Sequence, residues 1–198
     1  MKLIGLTGGI ASGKSTVAAI LRRLGSAIVN ADELSREIVQ PGTPGWKEIV
    51  ATFGAEALQP DHTLDRQKLR QIVFNDSDAR KKLEAIIHPR VRALAQQRIQ
   101  EHAAAGFETV VYEVPLLFEG KLQDSLRPVV LVAADTATQK KRLKERDQLA
   151  ESEAEKHITA QMSLEEKRRL ADYVIENNGS LDDLERQVRE VLTKIKAT

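Results

Sequence analysis

A glycine-rich segment near the amino terminus constrains this chain more than any other feature. Residues 8–16 read Gly-Gly-Ile-Ala-Ser-Gly-Lys-Ser-Thr and follow an apolar run at residues 3–6. The pattern G-x-x-x-x-G-K-[ST] predicts a phosphate-binding loop between a strand and a helix, because the glycines let several backbone N–H groups converge on phosphate oxygens. In such a loop we expect Lys14 at the β- and γ-phosphates of a nucleotide and the Ser15 hydroxyl at Mg²⁺.

The composition excludes several other classes of protein. The 198 residues include 30 basic and 29 acidic side chains and no cysteine. A net charge of +1 argues against a one-signed surface for nucleic acid or a membrane. The lack of cysteine excludes disulfide frameworks, thiolate metal sites and cysteine nucleophiles, and no apolar run approaches the roughly 20 residues that span a bilayer. We therefore expect a cytoplasmic protein with no nucleic-acid or membrane partner, either a monomer or a homotrimer.

Short apolar runs alternate with segments of helical periodicity, which predicts an α/β fold with a parallel sheet. Candidate strands lie at residues 3–6, 27–29, 109–113, 128–133 and 173–175. We expect a P-loop NTPase-like five-stranded parallel sheet flanked by helices, with a helical insertion between the second and third strands and a helical lid. The predicted core domain comprises residues 1–32, 107–137 and 164–198, the acceptor-binding insertion residues 33–106, and the lid residues 138–163.

The insertion itself is predicted to consist of helices only. Their expected positions are residues 46–53, 65–74, 76–87 and 89–105. The last of them would begin at His88–Pro89, because proline fits the first turn of a helix, where a backbone N–H has no partner within the helix.

Phosphate-binding loops occur in GTPases, in ATP-driven motors and in small-molecule kinases. The chain lacks the Asn-Lys-x-Asp tetrapeptide with which GTPases normally read guanine, and motors usually need a longer core. A small-molecule kinase must hold an acceptor and exclude water from the phosphates. This chain fits those needs with a compact core, a helical insertion and a late basic stretch at residues 136–146.

Further short sequence blocks follow the loop, and their order along the chain is typical of one protein family. They are Ala31-Asp32, Arg36, Leu64-Asp65-Arg66, His88-Pro89, Val114-Pro115-Leu116-Leu117-Phe118-Glu119, Arg142, Arg146-Asp147, Gln161 and residues 171–179. With these blocks, which cover almost the whole chain, the sequence resembles the dephospho-coenzyme A kinase family. The family more often has glycine at position 11, and some members have aspartate at position 30, so no base chemistry is assigned to Asn30.

The resemblance implies a reaction and a set of catalytic residues. ATP, with Mg²⁺ as cofactor, would phosphorylate the ribose 3′-hydroxyl of dephospho-coenzyme A, the last step of coenzyme A biosynthesis. Asp32 would activate that hydroxyl, although from the sequence it is equally a helix N-cap. Lys14, Arg142 and Arg146 would neutralise charge on the phosphates, although the two arginines also fit a solvated basic face.

The resemblance also implies binding residues. ATP would contact Gly8, Gly9, Ile10, Ala11, Ser12, Gly13, Lys14, Ser15, Thr16 and Asn177, with Ser15 as metal ligand. Glu113 ends the predicted third strand, where the acidic residue of a Walker-B motif falls, and we expect it to reach Mg²⁺ through water. The acceptor would contact Thr7, Asp32, Arg36, His88, Pro115, Leu116, Leu117, Phe118 and Glu119. Three alternatives stay open: an ion pair of Arg36 with Asp32, core packing of residues 115–119, and a simple turn at Asn177.

Two other functions remain compatible with the sequence. One is a kinase of a different nucleoside or nucleotide, and the other is a regulatory module that uses ATP occupancy as a switch. The expected pair of lid arginines and the carboxylate of Asp32 argue against the second, because a pure switch needs neither.

Overall fold

The computed structural model describes all 198 residues and contains one sheet. Its strands are β1 (Lys2–Gly8), β2 (Ala27–Asn30), β3 (Thr109–Glu113), β4 (Val129–Ala133) and β5 (Tyr173–Glu176). They are arranged in the order β2-β3-β1-β4-β5. The pairs β1–β3, β1–β4 and β4–β5 run parallel, with Leu6 opposite Glu113 and Thr7 opposite Leu131. The prediction of a five-stranded parallel sheet flanked by helices is confirmed.

Helices occupy most of the remaining chain. They are α1 (Lys14–Arg23), α2 (Ala31–Glu37), α3 (Pro44–Phe53), α4 (Arg66–Asn75), α5 (Ser77–Ala104), α6 (Thr136–Asp147), α7 (Glu151–Thr159), α8 (Leu164–Leu170) and α9 (Leu181–Ala197). Polar side chains cap many of them: Thr43 accepts from Trp46 N, Asp65 from Lys68 N, and Ser180 from Asp183 N. Such caps satisfy N–H groups that have no partner inside the helix. None of these helices combines the length and the apolar content needed to cross a bilayer.

The chain divides into two compact units. The first comprises Met1–Val29 and Glu101–Thr198. Its core joins β1 and β4 to α1 and α9, through buried residues that include Leu6, Val17, Val130 and Val188. These strands read as almost continuous apolar runs because both faces of a parallel sheet are covered.

The second unit, Asn30–Gln100, is helical and has a core of its own. Val39, Ile49, Leu69 and Ile86 are among the buried residues that form it. An antiparallel bridge between Leu58 and Leu64 closes the turn before α4.

One boundary predicted from the sequence is wrong. Instead of starting a new helix, His88 and Pro89 lie inside α5, which runs unbroken from Ser77 to Ala104. A proline in a helix interior removes one backbone hydrogen bond and costs about 3 kcal/mol. Burial of Ile86 and Ala95 along the same helix favours its continuity. The side chain of Arg90 donates from Nη1 to Ile86 O at 2.7 Å, the carbonyl that follows the one left without its N–H partner by Pro89.

Candidate functional site

The glycine-rich loop has the backbone shape that its sequence predicts. Ala11 and Gly13 both have positive φ, 55° and 87°, and α1 begins directly after Gly13. Single residues in the left-handed region turn successive N–H groups toward one point, which creates an anion-binding concavity. Ser15 and Thr16 are exposed in the first turn of α1, so the positive end of the helix dipole and a free hydroxyl face solvent at the loop.

Gly13 is required by its surroundings as well as by its φ. A Cβ atom at this position would lie 2.0 Å from Nδ2 of Asn177. The Asn177 side chain is buried and donates from Nδ2 to Ser12 O at 2.7 Å. Asn177 therefore supports the loop from the end of β5, a contact more specific than the simple turn considered above. Its predicted contact with ATP stays a prediction.

Side chains of α6 and of the segment after α7 bind the loop backbone. Gln139 Nε2 donates to Ile10 O at 2.7 Å, and Ile10 N donates to Gln161 Oε1 at 2.9 Å. Arg142 donates to Ser12 O at 3.2 Å and to Asn177 O at 2.9 Å. The loop is thus held from one side by residues 100 or more positions further along the chain, which the sequence pattern does not reveal.

The structure separates the two arginines that the sequence grouped. Arg142 is partly buried and contacts the loop, as described above. Arg146 is exposed and forms two hydrogen bonds with Asp147, at 2.8 and 2.7 Å. These hydrogen bonds hold the pKa of the Asp147 carboxyl below its usual value. The structure brings only Arg142 to the phosphate loop.

Lys14 forms an ion pair with Glu113, the last residue of β3. Both side chains are largely buried, with 14% of the lysine and 5% of the glutamate exposed. Because Glu113 lies opposite Leu6 in the neighbouring strand, sheet register alone brings its carboxylate to the loop lysine. A buried ion pair of this kind fixes the direction of an otherwise flexible lysine.

Residues 115–119 divide into buried and accessible positions. Leu117 and Phe118 are no more than 2% exposed, whereas Leu116 is 50% exposed. Thr7 is also buried, and its hydroxyl donates to Pro115 O at 3.2 Å. For Thr7, Leu117 and Phe118, burial favours packing over contact with an acceptor.

A buried ion pair fixes the position of Glu119 and was missed by sequence reasoning. Lys167 on α8 is 1% exposed, and its Nζ lies 2.8 Å from Glu119 Oε1. The same oxygen accepts from Met162 N at 3.1 Å. In the sequence Lys167 belongs to the run Lys167-Arg168-Arg169, typical of a solvated face, so nothing marked it as interior.

Replacing Glu119 by glutamine should destabilise the protein by about 3–5 kcal/mol, because it leaves the Lys167 ammonium buried without a counter-charge. Glu165→Gln is the matched control, since its ion pair with Arg169 is mostly exposed and should contribute at most about 1 kcal/mol. Urea unfolding of both variants gives the free energies. Equal effects of the two substitutions would contradict a buried pair, whereas partial recovery on adding Lys167→Met would support it.

The second unit contains the remaining predicted site residues. Asn30 caps α2, since its Oδ1 accepts from Asp32 N at 2.8 Å and from Glu33 N at 3.1 Å. The interpretation of Asp32 as the helix N-cap is therefore wrong, and its carboxylate is exposed in the first turn of α2. Arg36 lines a cavity and forms no ion pair with Asp32. His88 is exposed on α5.

Comparisons with known proteins agree with this geometry. The family model described as "Dephospho-CoA kinase" matches residues 2–183. A dephospho-CoA kinase of Geobacter sulfurreducens is 48% identical over 194 residues, which cover 98% of each chain. Among solved structures, TT1252 from Thermus thermophilus has a TM-score of 0.83 at 38% identity and covers 98% of this chain and 97% of that one. A dephospho-CoA kinase from Campylobacter jejuni has a TM-score of 0.72 at 29% identity, with 98% and 96% covered.

Since the family model spans more than nine-tenths of the chain and a relative is almost half identical over its full length, the chain belongs to the dephospho-CoA kinase family, the transferases of the final step of coenzyme A biosynthesis.

Proposed function

We propose that this chain phosphorylates the ribose 3′-hydroxyl of dephospho-CoA with ATP through the residues assigned below. The family assigns the activity, phosphorylation of dephospho-CoA by a kinase that uses ATP. The observation that supports the assignment of residues most directly is the loop of residues 8–16, with positive φ at Ala11 and Gly13 and with Lys14 held by Glu113.

The loop residues 8–16 bind the triphosphate of ATP. Their backbone N–H groups and the amino-terminal end of α1 offer partial positive charge to the β- and γ-phosphates. Lys14 supplies a full positive charge there. Its partner Glu113 keeps the ammonium extended beside the loop, so little side-chain freedom is lost when phosphate oxygens approach.

Phosphoryl transfer then proceeds from ATP to the acceptor. The ribose 3′-oxygen forms a bond to the γ-phosphorus, the bond from that phosphorus to the bridging oxygen breaks, and ADP leaves with the electron pair. Asp32 accepts the hydroxyl proton late in the step, since a loose transition state needs little base strength. Most of the rate enhancement comes from positioning and charge stabilisation.

The side chains at the loop fit Mg²⁺. This ion prefers oxygen ligands and keeps several waters when it bridges phosphates. The protein has no cluster of three or more histidine, aspartate or glutamate side chains that could form a cage, while the exposed Ser15 hydroxyl follows Lys14 directly. We assign Ser15 as the protein ligand and Glu113 as a partner through water. When bound, Mg²⁺ neutralises charge on the β- and γ-phosphates.

Arg142 and Arg146 have different tasks in this proposal. Arg142 already contacts the carbonyls of Ser12 and Asn177, so it fixes the loop and adds positive charge beside it. Arg146 would reach a phosphoryl group only by leaving Asp147, with which it makes two hydrogen bonds. We therefore expect Arg142 to contribute more to catalysis than Arg146.

An acceptor panel tests the function. With ATP and Mg²⁺ we expect dephospho-CoA to give ADP and coenzyme A, and phosphorus NMR should show a new phosphomonoester. With nucleoside monophosphates as acceptors, the release of ADP from ATP should be no faster than the background hydrolysis of ATP by water. Turnover of the monophosphates without turnover of dephospho-CoA would favour a different nucleotide kinase, and ATP binding without any acceptor-dependent ADP release would favour a regulatory switch.

A further inference from the structure

The unit Asn30–Gln100 contains a cavity to which the mechanism above assigns no part of the acceptor. Its volume is about 380 Å³, and it lies between the end of α2, the turn before α4 and the start of α4. Two arginines, Arg36 and Arg66, are among the residues that line it, together with Gln59 and Gln67. We call it the Arg36–Arg66 cavity. Arg66 belongs to the block Leu64-Asp65-Arg66, which the function has not yet used.

The charge of this cavity is positive and uncompensated. No aspartate or glutamate lines it, and neither Arg36 nor Arg66 forms an ion pair. The two acidic residues nearest in sequence to Arg66 are occupied elsewhere. Asp65 caps α4 by accepting from Lys68 N. Asp61 accepts from the hydroxyl and the N–H of Thr63, which lowers the pKa of its carboxyl.

Two other arginines of the same unit are held in ion pairs. Arg98 pairs with Glu37 at 2.8 Å, and Arg90 pairs with Glu48. Arg70, Arg80 and Arg92 also have no ion pair, but none of them lines this cavity; what distinguishes it is that two arginines line one concavity with no carboxylate. Guanidinium groups donate two parallel hydrogen bonds to phosphate or carboxylate oxygens, so such a pair suits an anion with several oxygens.

The frame around the two arginines is fixed by buried residues. Arg66 is the first residue of α4, directly after Leu64, which is 9% exposed and bridges to Leu58. Arg36 lies in the last turn of α2, three residues before the buried Val39. Both side chains thus start from backbone that the core of the unit holds in place, which reduces the ordering cost of binding.

We propose that the Arg36–Arg66 cavity binds a diphosphate, and specifically the diphosphate bridge of dephospho-CoA. This assignment rests on the proposed function, because the acceptor carries two adjacent phosphate groups between adenosine and the pantetheine arm. Each guanidinium takes one phosphate, and the amides of Gln59 and Gln67 serve the remaining oxygens. Apolar neighbours such as Pro41 and Leu64 line the same cavity, which suits the uncharged groups on either side of the bridge.

The test uses Arg36→Gln and Arg66→Gln with Arg70→Gln as control, because Arg70 is exposed, as Arg36 and Arg66 are, but lies one turn after Arg66 on α4 and outside the cavity. We expect each cavity variant to raise the KM for dephospho-CoA about 10–100-fold, because glutamine cannot make the charge-assisted hydrogen bonds that a guanidinium makes with a phosphate. The kcat and the KM for ATP should stay within about twofold of wild type, and Arg70→Gln should change neither KM.

Adenosine, a truncated acceptor, isolates the contribution of the diphosphate from that of the rest of the substrate. Since it has no phosphate, its weak turnover should be equal in wild type, Arg36→Gln and Arg66→Gln. A rise in the KM for ATP alone would show that the cavity serves the nucleotide and would overturn the proposal, as would equal losses with adenosine and dephospho-CoA. If wild type phosphorylates dephospho-CoA and the variants keep its KM, only this inference fails. If wild type does not phosphorylate it at all, the proposed function fails instead.

Discussion

Gly13→Ala should abolish ATP binding and reduce turnover by at least about a thousandfold, the scale expected when a preorganised phosphate site is lost. The new Cβ would lie 2.0 Å from Asn177 Nδ2. To avoid it, either the loop moves or Asn177 gives up its buried hydrogen bond to Ser12 O. Both outcomes displace the N–H groups that should face the phosphates. Calorimetric titration with ATP and a coupled ADP assay measure the two effects.

Gly25→Ala is the matched control for this substitution. Gly25 ends α1 with φ 88°, and a Cβ there would meet nothing within 4 Å. Both variants therefore carry the cost of placing alanine in the left-handed region, about 1–2 kcal/mol, but only Gly13→Ala creates a collision. Gly25→Ala should lose stability and keep the affinity for ATP. Equal losses of ATP affinity in the two variants would show that backbone strain, and not the contact with Asn177, limits the loop.

Asp32→Asn should lower kcat about 10²–10⁴-fold, the usual contribution of a positioned acid or base, while the KM for ATP stays near that of wild type. The substitution preserves size and polarity, and Asn30 continues to cap α2. The substitution removes the negative charge of the carboxylate and, with it, the ability to accept the proton of the acceptor hydroxyl. Steady-state kinetics with dephospho-CoA and a separate titration with ATP distinguish a catalytic loss from a binding loss.

Glu33→Gln provides the comparison for Asp32. Glu33 is the neighbouring residue, exposed and also in the first turn of α2, so both substitutions remove one negative charge near the same helix end. That charge stabilises the helix by about 0.3–1 kcal/mol, and the loss should be similar in the two variants. If Glu33→Gln and Asp32→Asn reduce kcat equally, Asp32 has no role in the reaction beyond this general electrostatic effect.

Local patterns in the sequence predicted much of the fold correctly. The loop at residues 8–16 is determined by residue type at fixed spacing, and the strands by short apolar runs, because both depend on neighbours along the chain. The boundary at His88–Pro89 was wrong for the same reason. A proline carries a strong local signal for a helix start, but packing of Ile86 and Ala95 acts over the whole of α5 and outweighs it.

By itself, then, the sequence determined the parallel α/β class, the phosphate loop and, through ordered blocks of residues, the family. Tertiary structure alone decided that Asn177 supports Gly13, that Lys167 is buried against Glu119, and that Arg36 and Arg66 share a cavity. The physical reason is distance along the chain. Conformational preferences of a short segment are set by its own residues, whereas burial and pairing of charges depend on which distant residues the fold brings together.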